Sequence, residues 1–130
     1  MPTTECKLKL HDLYFSRFDF FLSREDQNAD YNTSFKIEYA IGKSDDSKIK
    51  VTIDTSITNK TNTLNLNLQT VALFSIEKEE VDNTLYEQLI KQNTVAIVFP
   101  FIRSQVSLLT TQPGIQPILI PPINVAALIE

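Results

Sequence analysis

The stretch Asn93–Leu128, NTVAIVFPFIRSQVSLLTTQPGIQPILIPPINVAAL, limits the possible folds more than any other, because its first half is apolar on two sides. At roughly 100° per residue, a helix here puts Val95, Val98, Phe99, Ile102, Val106 and Leu109 on one side and Ile97, Phe101 and Leu108 nearly opposite. A single sheet covers only one stripe. The other needs a second partner, which in so short a chain points to another copy of the same helix. The helix is therefore expected between two layers, one stripe on its own sheet and the other on a partner subunit, with Ile97, Phe101 and Leu108 as the oligomer interface. Pro100 cannot donate a backbone hydrogen bond, so the helix is expected to kink there or to begin within a turn of it. Pro113-Gly114 ends it. Pro117, Pro121 and Pro122 hold the next segment extended, and Asn124 can cap a final turn over Val125 to Ile129.

Upstream the apolar period is two. Leu8 and Leu10, then Leu13 and Phe15, then Phe18, Phe20 and Leu22 mark one strand whose phase slips twice, which predicts bulges near His11-Asp12 and Ser16-Arg17. Arg24 to Asn32 reads as a loop. Phe35, Ile37, Tyr39 and Ile41 alternate with polar residues. The same holds for Ile49, Val51, Ile53 and Ile57, and for Leu64, Leu66 and Leu68 running on through Phe74 and Ile76. Gly42–Ser47 and Asn59–Asn62 turn the chain between these strands. Thr84 with Glu87 three positions on predicts a capping box, opening a short helix that carries Leu85, Leu89 and Ile90. The expected fold is α+β: a four-stranded antiparallel meander with one polar face, its other face covered by the long C-terminal helix and a short helix, all in a single domain over residues 1–130.

Several function classes are set aside by composition. A net charge of -4 argues against nucleic acid, since phosphate-binding surfaces are basic. Met1 to Leu10 lacks an apolar core of signal-peptide length, and no apolar run approaches the roughly 20 residues of a membrane span, so a cytoplasmic chain without membrane insertion is expected. Cys6 is the only cysteine and His11 the only histidine, which leaves little for a soft-ligand metal site. His11 lies in a strand with no serine or cysteine that the sequence can place beside it, so a structural role is expected for it. Gly42 and Gly114 are the only glycines and form no phosphate loop. Asp45-Asp46 and Glu77, Glu79, Glu80 and Asp82 lack the alternating spacing of a calcium loop and read as solvated charge. No metal, no cofactor and no catalytic residue is expected; the chain reads as a binding protein, not an enzyme.

The C-terminal half resembles the SecB family of export chaperones. The resemblance rests on Phe99-Pro100-Phe101-Ile102-Arg103, on Ile115-Gln116-Pro117-Ile118-Leu119-Ile120-Pro121-Pro122-Ile123-Asn124-Val125-Ala126-Ala127-Leu128, and on Ala72-Leu73-Phe74-Ser75-Ile76 at the end of the last strand. It implies paired protomers that stack through their long helices, as a dimer or tetramer, and long apolar grooves that hold unfolded or extended polypeptide. Carried over by position, Ile115, Pro117, Ile118, Leu119 and Ile120 would form the crossover wall of such a groove, and Phe35, Ile37 and Tyr39 the sheet side. Asn65 and Asn67 stand where the family has a Leu and a Glu that dock the export ATPase, and Ser16 where it has a Glu, although Asp12 matches a docking Asp. Family chains also continue for several turns beyond the position of Glu130. The resemblance thus carries the fold and the holding of client chains further than it carries docking of that ATPase. An adaptor that recognises one specific protein partner is the alternative.

Overall fold

The computed structural model describes residues 8–45, 47–77, 82–112 and 116–121. Four strands, β1 (Leu8–Leu22), β2 (Tyr31–Ile41), β3 (Lys48–Asn59) and β4 (Leu64–Ile76), precede two helices, α1 (Asn83–Gln88) and α2 (Thr94–Leu109), which are joined by a π-helical turn over Leu89–Asn93. The chain divides into two compact units, Leu10–Ser75 and a second that joins Ile76–Glu130 to Met1–Lys9. The α+β class and the four strands agree with the sequence reading.

In the first unit β2, β3 and β4 follow one another as antiparallel hairpins, with Ile37 opposite Ile53 and Ile53 opposite Thr70. The strand order is β1-β4-β3-β2, so the meander expected from the sequence is corrected: β1 lies beside β4 and not beside β2. Apolar alternation fixes which face of a strand is buried, but it carries no information about lateral neighbours. The connection Ser23–Asp30 therefore spans the sheet end, where it is tied to the β3–β4 turn by Ser23 N to Thr63 O at 2.7 Å, Thr61 Oγ1 to Asp26 O at 2.5 Å and Asn59 Nδ2 to Asn28 O at 3.1 Å. Asn62 and Asp26 take positive φ at this junction, 55° and 48°, a conformation that short polar side chains tolerate.

One face of the sheet is buried through Ile49, Val51, Ile53 and Ile57 of β3 and Leu64, Leu66, Leu68, Ala72 and Phe74 of β4. Along β1 the more protected positions run Leu8 and Leu10, then Leu13 and Phe15, then Phe20 and Leu22, which reproduces the two expected phase slips, while Phe18 is exposed. Across β1 and β4, His11 Nε2 lies 2.6 Å from Ser75 Oγ and Ser16 Oγ donates to Gln69 Oε1 at 2.6 Å. His11 therefore has a serine, Ser75, beside it. The pairing comes from the strand order, which sequence spacing does not encode.

In the second unit the N-cap of α1 is Asp82, whose Oδ1 accepts from Leu85 N at 2.7 Å, and not Thr84 as the capping-box spacing suggests. Aspartate is a strong N-cap and sits two residues earlier. The helix neither stops before α2 nor begins near Pro100. It runs through the π turn, where the Thr94 hydroxyl donates to the Ile90 carbonyl, and Pro100 falls inside α2. The carbonyl that Pro100 leaves without a helical donor is that of Ala96, on an exposed side of the helix where water can serve. The final turn expected over Val125 to Ile129 with its Asn124 cap, and the Pro113-Gly114 break, lie outside the described residues.

Candidate functional site

Helix α2 has the two stripes that its periodicity predicts. Val95, Val98, Phe99, Ile102 and Val106 are buried, whereas Ile97, Phe101 and Leu108 are 36%, 47% and 67% exposed. After α2 the chain returns as an extended crossing, and two polar side chains fix it. Thr110, fully buried, donates its hydroxyl to Val106 O at 2.8 Å and accepts from Ile118 N at 2.8 Å. Arg103 Nε donates to Ile120 O at 2.8 Å. Pro117 and Pro121 border the crossing and bring no N–H of their own, so the backbone needs few partners to remain extended.

Pinned in this way, the crossing alternates. Ile118 and Ile120 are buried, Leu119 between them is 76% exposed, and Pro117 is exposed too. Between the crossing and α2 runs an open groove of about 620 Å³, lined by Pro100, Arg103, Ser104, Ser107, Leu108, Thr111, Leu119 and Ile120. Leu119 and Leu108 give it apolar surface; the hydroxyls and the guanidinium give it donors. Of the crossover wall expected from the sequence, Leu119 and Ile120 line this groove, Ile118 is spent on the core of its unit, and Ile115 lies outside the described residues. Leu108, expected at an oligomer interface with Ile97 and Phe101, also lines it.

Phe35, Ile37 and Tyr39 share the buried face of β2, opposite Thr55, Ile53 and Val51, but remain half-buried because β2 is an edge of the sheet. Burial pushes the Tyr39 phenol above its ordinary value. The folded state thus holds that proton more tightly than the unfolded state, so the resulting stability is complete below the unfolded pKa and is lost as pH rises through the folded one. Thr110 and Arg103 are the residues that sequence reasoning missed. Arg103 was visible only as part of the Phe-Pro-Phe-Ile-Arg string, and a threonine after a helix gives no sign that it anchors a segment eight residues away.

Among the described residues no group of three His, Cys, Asp or Glu side chains could hold a metal ion, and no helix is long and apolar enough to cross a membrane. Asn65 and Asn67 are exposed on β4 and hydrogen bond to each other at 3.1 Å.

Comparison with known proteins agrees with this architecture. The Rv1957 SecB-like chaperone of Mycobacterium tuberculosis, solved in complex with a ChAD peptide from the Rv1956 HigA1 antitoxin, matches with a TM-score of 0.74 over 92% of this chain and 92% of that one, at 16% identity. A protein of unknown function from Streptococcus agalactiae matches with a TM-score of 0.50 and 8% identity over 88% of this chain and 97% of that one. In sequence, the uncharacterized protein MJ0357 of Methanocaldococcus jannaschii is 27% identical over 95% of this chain and 83% of its own length. The family model described as preprotein translocase subunit SecB matches residues 12–130, and the chain belongs to the SecB family.

Proposed function

We propose that this protein is a holdase, a cytoplasmic single-domain chaperone that binds unfolded or nascent polypeptide in extended form and performs no covalent chemistry. The observation that carries the reading is the pinned crossing: Leu119 stands 76% exposed on a backbone fixed by Thr110 and Arg103, beside a groove that Leu108 also lines. A large exposed apolar side chain on a rigid wall suits recognition of apolar residues in many different clients. Phe35, Ile37 and Tyr39 on edge strand β2 offer further apolar surface beside a strand edge able to pair with an extended chain. Ile97, Phe101 and Leu108 are read as the contact between copies, in a dimer or tetramer.

The test is suppression of aggregation of a slow-folding client by stoichiometric protein, repeated with Leu119→Asp. The parent is expected to suppress and the variant to lose most of the effect; a parent that neither suppresses aggregation nor binds peptide removes the reading.

A second reading, an adaptor for one partner, is favoured by the amides of Asn65 and Asn67 on the solvent face of β4, where export docking would call for a Leu and a Glu. The Rv1957 chaperone, solved with a peptide from one antitoxin, is consistent with such a role. A pull-down returning one stoichiometric partner in place of a broad client set decides for it.

A further inference from the structure

A second hollow lies wholly within the sheet unit, at the end where the β2–β3 hairpin turns. It measures about 360 Å³ and its lining is mostly apolar. The register explains why it exists. Ala40, Lys50 and Leu73 form one row across β2, β3 and β4 on the face opposite the buried one, and Gly42, just past the end of β2, also lines the hollow. Two of the smallest side chains thus sit beside two long ones, which leaves a depression over β2. Gly42 cannot grow to fill it, because a Cβ there would collide with the Asp45 carbonyl oxygen. Leu73 is 37% exposed at its wall.

Among the described residues that line the hollow, the charge is of one sign. Its charged lining residues are Lys48 and Lys50, with the His11 imidazole also lining it, and no carboxylate among the described residues lines it, in a chain whose net charge is -4. Two acids of this hairpin are otherwise engaged: Asp45 is hydrogen bonded to Ser47 while it also feels the charge of Lys48, and Glu38 pairs with Lys36 at 3.3 Å. Lys48 and Lys50 are two residues apart on one face of β3, about 7 Å along a strand, which is the repeat of alternate residues in any extended chain.

We propose that this hollow docks an acidic, extended peptide segment of a partner protein. One large apolar side chain sits over Ala40 and Gly42, beside Leu73, and carboxylates on the flanking residues pair with Lys50 and Lys48. This goes beyond holding clients by apolar surface, because here the sign of the charge selects the partner.

Fluorescence anisotropy with three labelled peptides tests it: one with leucine flanked by glutamates, one with the same leucine flanked by glutamines, and one with it flanked by lysines. The acidic peptide is expected to bind about threefold to tenfold more tightly than the glutamine peptide, as two exposed ion pairs allow, and to lose that preference as salt is raised. Lys50→Glu should abolish the preference. Ala40→Leu, which fills the hollow from an exposed position, should weaken binding of the acidic peptide while the protein stays folded by circular dichroism. Equal affinities for the three peptides, no saturable binding at millimolar peptide, or a preference that survives Lys50→Glu would overturn the proposal. Suppression of client aggregation by Lys50→Glu protein is expected to match that of the parent; its loss would mean that the hollow belongs to the client path and serves no separate partner.

Discussion

Asn59 is 6% exposed, and its side-chain amide serves four partners: the oxygen accepts from Thr63 N at 2.9 Å and Leu64 N at 3.2 Å, and the nitrogen donates to Thr63 Oγ1 at 2.8 Å and Asn28 O at 3.1 Å. Satisfying buried polar groups in this way contributes about 1 kcal/mol per bond. Two other buried side chains lack such partners. The hydroxyls of Thr55 and Thr70 make no hydrogen bond among the described residues, although both residues are almost fully buried. Leaving a buried hydroxyl without a partner costs about 1–3 kcal/mol, so Thr55→Val and Thr70→Val, which keep the shape and remove the group, should each raise stability by about 1 kcal/mol. A urea midpoint that rises in both variants is the expected result; a lower midpoint would mean that the hydroxyls are satisfied after all. The sequence shows the position of both threonines, since each occupies an inward place in a run of alternating Ile or Leu. It does not show that their hydroxyls lack acceptors, because that depends on which atoms the neighbouring strands present. For the same reason Asn59 read as an ordinary turn residue.

At the level of elements, α2 was the most legible part. A helical period separates its two stripes whatever lies next to them, and the buried and exposed sets follow that division. The π turn before it has no comparable signature, and the capping-box spacing of Thr84 with Glu87 points two residues too far, because the Asp82 carboxylate caps the Leu85 backbone N–H without any partner side chain. The crossing was legible as extended from its prolines, but its anchor was not. Thr110→Val tests that anchor. Removing the hydroxyl leaves the Ile118 amide buried without its acceptor, at a cost of about 1–3 kcal/mol. Hydrogen exchange at Ile118 should accelerate, and client binding should weaken as the wall loosens. Unchanged exchange would show that the crossing is held by its apolar contacts alone.

For the whole molecule, the exposed stripe of α2 gives the clearest prediction. Burying Ile97, Phe101 and Leu108 between copies would contribute on the order of 1.5–3 kcal/mol for each side chain taken fully out of water. Phe101→Asp should therefore lower the solution mass, measured by light scattering, to that of a single chain, with the strand signal in circular dichroism retained. A parent that is already a monomer at micromolar concentration, or a variant that keeps the parent's mass, would reassign the stripe to the groove that Leu108 lines. The strand order has a consequence of another kind, which concerns how the protein is made. β1 leaves the ribosome before β4, and its hydrogen-bonding partners there lie 53 and 64 residues further along the chain. At about 5–20 residues per second, that strand waits for seconds before its neighbour has been synthesised. Phe18 and Phe21, which stay 54% and 58% exposed even in the finished sheet, are in water throughout the wait. During biosynthesis each new copy is thus an extended apolar segment of the kind the finished protein is proposed to hold, and mature copies would count their own nascent chains among their first clients.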